Sequence, residues 1–156
     1  MTLRKNNQLN KQTPSDTEYK SHINDPSNFV PLSKPLPIYM QKWPHGTKPQ
    51  VTTQTTTYMH EKYIERCIEG ILMQETTFPV QVLIHDDAST DQTTNVLRAY
   101  EEKYPKLIRV YYQKKNTYRS PRRRQLRSEF YSWSQGKYVA LCEGDDYWTD
   151  PTKLQR

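Results

Sequence analysis

The sequence predicts an α/β fold built on a mostly parallel sheet, and two observations support this prediction. Short apolar or β-branched runs alternate along the chain with amphipathic segments of helical period. Such alternation is typical of strands joined by crossover helices, which pack against a parallel sheet. In addition, two of the predicted strands end directly in acidic residues, so polar loops should gather at one edge of the sheet.

The first fifty residues differ in composition from the rest of the chain. Seven of the eleven prolines lie there, among many Asn, Gln, Ser, Thr and Lys residues. Over the whole chain, 33% hydrophobic residues and a mean hydropathy of -1.04 are low for a fully packed domain. We therefore expect residues 1–50 to form a disordered leader rich in proline and polar residues, and residues 51–156 to form the folded domain.

The predicted elements of this domain follow one another in a regular order. Residues 51–58 are β-branched and predict a strand, although they are unusually polar for a buried one. Residues 61–73 carry apolar side chains at helical spacing, which predicts an amphipathic helix. Residues 80–85 predict the second strand. Two more strands are expected at residues 107–112 and 138–142.

A second helix is expected between the second and third strands. Ser89 and Gln92 have the spacing of a capping box, which would open a helix that continues to about Lys103. The stretch from the third strand to Gly136 contains no clear apolar helix. We therefore expect it to be a linker.

This linker contains a strongly basic segment, Lys114 to Arg127, which holds seven Lys and Arg residues and no carboxylate. It accounts for the formal net charge of +6. Nucleic acid, an anionic membrane surface and a nucleoside diphosphate would each be attracted to it, so the segment alone does not choose a partner. A solvated basic loop is the simplest alternative.

Acidic residues follow two of the predicted strands. Residues 86–91 read Asp-Asp-Ala-Ser-Thr-Asp, and residues 143–148 read Glu-Gly-Asp-Asp-Tyr-Trp. The first cluster alone is equally consistent with a strand-to-helix turn, because Asp and Ser stop strands and cap helices. Together the clusters predict oxygen ligands at the carboxyl edge of the sheet, where Mg²⁺ or Mn²⁺ can bridge phosphate oxygens. Residues 56–59 end the first strand at the same edge, so three loops should converge.

Three ordered motifs carry a resemblance to a known family. They are Thr-Tyr-Met-His-Glu-Lys-Tyr-Ile at 57–64, His-Asp-Asp-Ala-Ser-Thr-Asp at 85–91, and Gly-Lys-Tyr-Val-Ala-Leu at 136–141 with the acidic cluster at 143–148. The sequence resembles the family 2 glycosyltransferases of GT-A fold, in the bacterial subgroup that adds sugars to polysaccharides and cell-surface glycans. This resemblance covers residues 51–156. It implies a Rossmann-like, mostly parallel GT-A sheet that is incomplete at the C-terminus.

The resemblance also implies roles for particular residues. Thr56 and Tyr58 would line the base and ribose pocket, and Asp87 would accept a hydrogen bond from the base, most often uracil. Asp145 and Asp146 match the D-x-D-like element, in which one carboxylate contacts the ribose or diphosphate and the other holds Mg²⁺ or Mn²⁺. The implied metal ligands are Asp146 and Asp145, and the implied nucleotide-binding residues are Thr56, Tyr58, Glu61, Asp87, Asp145 and, as the basic partner of the diphosphate, Arg119.

The predicted function is that of an inverting glycosyltransferase. It would transfer a sugar from a nucleotide-diphospho-sugar, here a UDP-sugar, to a glycan or lipid-linked acceptor in cell-surface polysaccharide biosynthesis. Family members place their general base well downstream of the acidic motif. We therefore expect the donor-binding and metal-binding half without the catalytic base, and poor or no sugar transfer by this chain alone.

Two other interpretations stay open. The chain could be a non-catalytic nucleotide-binding remnant, or a basic RNA-binding protein, although the aromatic platform of RNA-binding folds is missing and no nucleic acid is expected. A haloacid-type hydrolase or a receiver domain fits the acidic strand ends but not the order of the motifs. The G-x-G-x-x-G and P-loop patterns are absent, which argues against a dinucleotide fold or a P-loop enzyme.

The expected compartment is the cytoplasm, with contact to the inner face of the membrane left open. No apolar run in the sequence approaches the roughly 20 residues that span a bilayer, and the start of the chain lacks the apolar core of a signal peptide. Cys67 and Cys142 are expected to be buried free thiols in a reducing compartment, because two such positions do not make a disulfide framework or a metal site.

Overall fold

The computed structural model describes residues 29–156. The part of the chain that it describes contains six strands and three α-helices. The strands are β1 (Leu36–Pro37), β2 (Val51–Thr57), β3 (Glu75–Thr76), β4 (Val80–Asp86), β5 (Ile108–Tyr112) and β6 (Tyr138–Leu141). The helices are α1 (Ile64–Leu72), α2 (Thr93–Lys103) and α3 (Arg123–Tyr131).

Four strands form a parallel sheet in the order β5-β4-β2-β6. The register pairs Thr57 with Asp86 and Asp86 with Tyr112, so these three strands end side by side at their carboxyl ends. The short strands β1 and β3 pair antiparallel in a separate two-stranded sheet. The predicted α/β class with a mostly parallel sheet is therefore confirmed.

The central strand β2 is buried although most of its side chains are polar. On one face, the Thr52 hydroxyl donates to Gln81 Oε1 at 2.8 Å, and Gln54 Nε2 donates to Ser134 Oγ at 2.6 Å. These hydrogen bonds offset the cost of burying polar groups on that face. β2 is thus a strand as predicted. Side chains from neighbouring segments pair with Thr52 and Gln54. The buried hydroxyls on the other face, those of Thr53, Thr55 and Thr57, have no hydrogen-bond partner among residues 29–156.

Helices cover both faces of the parallel sheet. α1 and α2 pack on one face, where the fully buried Ile68 and Leu97 belong to the same core as Val82 of β4. α3 packs on the opposite face through Phe130, which contacts the ring of His85. The sequence predicted a linker without a helix at α3, and that prediction is wrong. A nine-residue helix forms there although Phe130 is its only buried residue.

Residues 29–50 differ from the predicted disordered leader. β1 pairs with β3, and Ile38, in the short 3₁₀ turn that follows, is 3% exposed and belongs to the core. Gln41 also donates to the Leu36 and Thr76 carbonyls. Local composition concealed this packing because the partner strand lies about forty residues away. The rest of the predicted leader, residues 1–28, lies outside the described residues.

The predicted capping box at the start of α2 is not formed. The helix begins at Thr93, and its N-cap residue Gln92 makes no capping hydrogen bond with its side chain. The Ser89 hydroxyl instead accepts a hydrogen bond from the Met59 amide, and Asp91 accepts one from the Thr93 amide. Ser89 therefore joins two loops, and Asp91 supplies the local hydrogen bond at the start of the helix.

The two cysteines are free and buried, as predicted. Cys67 on α1 and Cys142 after β6 place their sulfurs 3.8 Å apart. Hydrogen bonding with Cys142 and burial raise the pKa of the Cys67 thiol, while the same hydrogen bond lowers the pKa of Cys142. Within residues 29–156, no helix has both the length and the apolar character that a bilayer-spanning helix needs.

Candidate functional site

A cavity of about 300 Å³ opens at the carboxyl edge of the parallel sheet. It lies where β2 and β4 end and where the segments after β5 and β6 meet them. This agrees with the expectation that the loops after the strands converge at one edge. The lining residues are Thr56, Thr57, Tyr58, His60, His85, Asp87, Thr117, Tyr118, Arg123, Arg127 and Glu143.

The two aspartates after β4 have different environments. Asp86 is 2% exposed, and its carboxylate accepts hydrogen bonds from the Ser89 amide at 3.0 Å and the Thr94 hydroxyl at 2.6 Å. Asp87 lines the cavity, and among residues 29–156 only its Oδ1 is hydrogen-bonded, by the amide and hydroxyl of Thr117, each at 2.8 Å. Asp86 therefore holds the turn, whereas Asp87 presents its other oxygen to the cavity.

The loop after β2 is fastened to the loop after β4 by hydrogen bonds that run in both directions. The Glu61 amide donates to Asp91 Oδ2 at 3.1 Å, and the Gln92 amide donates to Glu61 Oε2 at 3.1 Å. The bonds from Thr93 and Glu61 lower the pKa of Asp91, although desolvation opposes them. Glu61 is exposed and does not line the cavity. In this structure Glu61 connects the loop after β2 to the loop after β4.

The acidic segment 143–148 runs beside the end of β2. The Gly144 amide donates to the Thr56 carbonyl at 2.9 Å, and a Cβ on Gly144 would stand 2.6 Å from the Thr57 hydroxyl oxygen. Glycine is thus required for this close approach. Glu143, the residue before Gly144, lines the cavity, although it was not among the site residues predicted from the sequence.

Asp145 and Asp146 are both exposed and do not line the cavity, although Glu143, two residues before Asp145, does. Within residues 29–156, the structure places no group of three His, Cys, Asp or Glu side chains close enough to hold a metal ion. Mg²⁺ is commonly bound by one or two carboxylates, with substrate phosphates completing the shell. Two free carboxylates next to a cavity fit a cation of that kind, and Asp145 and Asp146 are the residues that would hold it.

The basic residues at the cavity come from α3. Arg123 and Arg127 both line it, whereas Arg119, the predicted partner of the diphosphate, is exposed and does not. The two arginines lie four residues apart on one helix, so their side chains share a face. They also line a second cavity of about 680 Å³, to which Arg124 adds a third guanidinium group.

His85 is the penultimate residue of β4 and lines the cavity together with Asp87. Its ring is 3% exposed and packs against Tyr111 and Phe130, with centroids 5.6 and 5.3 Å away. Neither ring nitrogen has a hydrogen-bond partner among residues 29–156. Burial lowers the pKa of His85, against the opposing effect of the nearby Asp87 and Asp86 carboxylates.

The sequence and fold of this chain are similar to those of known proteins. The model of one protein family, described as glycosyl transferase family 2, matches residues 54–156, which is well over half of the chain. The chain belongs to glycosyl transferase family 2. The matched residues include both acidic strand ends, 86–91 and 143–148.

Two relatives are longer than the segment that this chain matches. It is 42% identical over 100 residues to the uncharacterized protein Rv1520 of Mycobacterium tuberculosis, covering 64% of this chain and 28% of that protein. It is 34% identical over 101 residues to the putative teichuronic acid biosynthesis glycosyltransferase TuaG of Bacillus subtilis, covering 65% of this chain and 38% of that protein. The chain thus spans well under two thirds of the length of these family members.

Solved glycosyltransferase structures share the fold. The structure of S. aureus TarS 1-349 in complex with UDP superposes with a TM-score of 0.54 at 25% identity, covering 67% of this chain and 30% of TarS. The mannosyltransferase PcManGT from Pyrobaculum calidifontis gives a TM-score of 0.54 at 21% identity over 85% of this chain and 34% of that chain. The GT-A fold expected from the sequence resemblance is therefore confirmed.

Proposed function

We propose that the chain forms the donor-binding part of an inverting glycosyltransferase, with a UDP-sugar as the donor. The observation that carries the proposal is the cavity that places the Asp87 carboxylate and two arginines, Arg123 and Arg127, around one space. A carboxylate accepts N–H groups of a nucleobase, and guanidinium groups pair with phosphate oxygens. The solved complexes of TarS with UDP and with UDP-GlcNAc support a uridine-based donor.

Thr56 and Tyr58 are proposed to contact the base and ribose. Both line the cavity, and Tyr58 leaves 44% of its surface exposed, so a flat ring can stack on it. Tyr118, in the segment that leads into α3, also lines the cavity. Thr117 fixes the Asp87 carboxylate by two hydrogen bonds and thereby orients its free oxygen.

Arg123 and Arg127 are proposed to assist departure of the nucleoside diphosphate. Cleavage of the sugar–phosphate bond leaves additional negative charge on that group, and positioned cations lower the barrier by stabilising it. When bound at Asp145 and Asp146, Mg²⁺ or Mn²⁺ would supply further charge neutralisation as a Lewis acid. The basic surface along α3 also raises the local concentration of anionic substrates by electrostatic attraction.

The proposed acceptor is a glycan or lipid-linked glycan in cell-surface polysaccharide biosynthesis. TuaG, which shares 34% identity with the matched segment, is named for teichuronic acid biosynthesis. A cytoplasmic site with contact to the inner face of the membrane is consistent with such an acceptor and with the basic surface of α3. Inversion at the sugar carbon rests on the family resemblance, and no catalytic base is assigned.

Titration calorimetry with UDP tests the donor site directly. The wild-type chain should bind UDP more tightly with Mn²⁺ than with EDTA, and Asp87→Asn should weaken binding about tenfold, because a carboxylate acceptor is replaced by an amide. Glu129→Gln is the matched control, since Glu129 is exposed on α3 and does not line the cavity. A folded wild-type chain that binds no UDP with Mn²⁺ present would contradict the proposal.

A further inference from the structure

His85 is a buried polar residue that the fold leaves without a partner. Only 3% of its surface is exposed, and within residues 29–156 neither ring nitrogen is hydrogen-bonded. Burying unpaired ring nitrogens is unfavourable for folding. An apolar ring could pack between Tyr111 and Phe130 without this cost. A histidine at this place therefore costs stability that a function can explain.

His85 is one of the residues that line the proposed base pocket. His85 pairs in register with Thr56 on the neighbouring strand, and it lies two residues before Asp87, so strand alternation places these side chains on one face of the sheet. All three residues line the same cavity. His85 and Asp87 thus stand next to each other on the wall that would receive a base.

The titration state of the ring follows from its surroundings. Burial lowers the pKa of His85, and the nearby Arg127 lowers it further, while the Asp87 and Asp86 carboxylates act in the opposite direction. With burial the largest influence, the ring is neutral near pH 7. A neutral imidazole offers one N–H donor and one nitrogen acceptor.

We propose that His85 reads the nucleobase of the donor and, together with Asp87, selects uracil. This inference rests on the proposed function of the cavity as a nucleotide-sugar site. The Asp87 carboxylate accepts the ring N–H of uracil, and the His85 N–H donates to the carbonyl beside it. Cytosine has an unprotonated ring nitrogen and an amino group at these positions. Its ring nitrogen would face the Asp87 carboxylate, so two acceptors would meet, and its amino group would face the His85 N–H, so two donors would meet.

The hydrogen bonds of Asp87 also discriminate against guanine. Oδ1 already accepts two hydrogen bonds, from the amide and hydroxyl of Thr117, which use both of its lone pairs. Only Oδ2 remains for a ligand. Guanine presents two adjacent N–H groups that need both oxygens of a carboxylate, whereas uracil presents one N–H between two carbonyls.

The test combines thermal melting of the free chain with calorimetric affinities for UDP and GDP in the presence of Mn²⁺. His85→Phe and the smaller His85→Leu both remove the polar atoms, and His85→Gln keeps a donor and an acceptor. Tyr111→Phe is the control, because Tyr111 contacts the ring of His85 but does not line the cavity. The wild-type chain should prefer UDP to GDP.

We expect His85→Phe to melt at or above the wild-type temperature and yet to bind UDP about tenfold more weakly, with a smaller preference for UDP over GDP. His85→Gln should recover part of the lost affinity, and Tyr111→Phe should leave it unchanged. Equal UDP affinity and preference in the wild type and in the folded apolar variants would overturn the inference while leaving the donor site intact. Absence of UDP binding by the folded wild type would contradict the proposed function itself.

Discussion

The two acidic strand ends have the same residue types but contrasting structures. After β4, the carboxylate of Asp86 is buried and accepts two hydrogen bonds, and Asp87 is 8% exposed and held by Thr117. After β6, Asp145 and Asp146 are exposed, and the one ion pair within residues 29–156 joins Arg156 to Asp150 elsewhere. The pair after β4 is thus buried, and the pair after β6 is exposed to solvent.

This difference separates a folding role from a binding role. A buried carboxylate whose oxygens are already hydrogen-bonded stabilises its turn and has little capacity left for a ligand. An exposed carboxylate contributes little to stability and keeps its oxygens free for a cation or a substrate. Asp87 stands between the two cases, because one oxygen is engaged and the other faces the cavity.

Asp146→Ala should produce the largest effect on binding and almost none on folding. Loss of a metal ligand should remove about 3 kcal/mol of the Mn²⁺-dependent UDP affinity, or roughly a hundredfold. The free energy of unfolding should stay within about 0.5 kcal/mol of wild type, because the side chain is exposed. Calorimetry and urea unfolding measure the two quantities. Unchanged Mn²⁺-dependent binding would place the cation elsewhere.

Asp86→Ala should show the opposite pattern and destabilise the fold by about 3 kcal/mol. The substitution leaves the Ser89 amide and the Thr94 hydroxyl without their buried charged acceptor. Asp86→Asn keeps one carbonyl acceptor and should lose less. Urea unfolding measures both variants. Wild-type stability in Asp86→Ala would show that the turn does not depend on this carboxylate.

Gly70→Ala tests the close packing of helix α1 against the backbone of the acidic segment at Trp148. Alanine normally stabilises a helix by about 1 kcal/mol relative to glycine. Here a Cβ would stand 2.8 Å from the carbonyl oxygen and 2.9 Å from the amide nitrogen of Trp148, so the backbone of the acidic segment must shift. We expect a net loss of about 1–2 kcal/mol and weaker UDP binding. Glu65→Ala, exposed on the same helix, serves as the control for helix propensity.

Asp91→Ala should give the smallest effect, about 1 kcal/mol of stability, because it removes acceptors for the Thr93 and Glu61 amides. The folded-state pKa of Asp91 lies below 3.8, so its stabilisation is present above pH 3.8 and disappears as the pH falls through the folded value. The stability difference between wild type and variant should therefore be constant near neutrality and shrink below about pH 4. A difference that persists in acid would exclude the ionised carboxylate as its source.

Much of the sheet was predictable from the sequence because its signals are local. β2, β4, β5 and β6 each lie within one residue of their predicted ends, since runs of β-branched and apolar residues are bounded by turn residues. α3 was not predictable from hydropathy, because only Phe130 of its nine residues is buried. The pair Leu126 and Phe130, four residues apart, was the one helical signal in that segment.

The site was predictable in its acids and less so in its other residues. Asp87, Thr56 and Tyr58 line the cavity that the sequence assigned to them, although their contacts with a nucleotide remain predictions. Arg123 and Arg127 enter the cavity only because α3 forms. His85 looked like an ordinary strand residue, and its significance depends on long-range packing that no local pattern reports.

Thermal melting of three proteins, with and without UDP and Mn²⁺, tests the central claim most directly. At a ligand concentration of about 100 times Kd, binding should stabilise the wild-type chain by roughly 2.7 kcal/mol. Asp86→Asn should melt at a lower temperature when free but keep the shift caused by the ligands. Asp146→Asn should melt like the wild type when free and lose that shift. A full ligand shift in Asp146→Asn, or its loss in Asp86→Asn, would contradict the division between the buried structural carboxylate of Asp86 and the exposed binding pair Asp145 and Asp146.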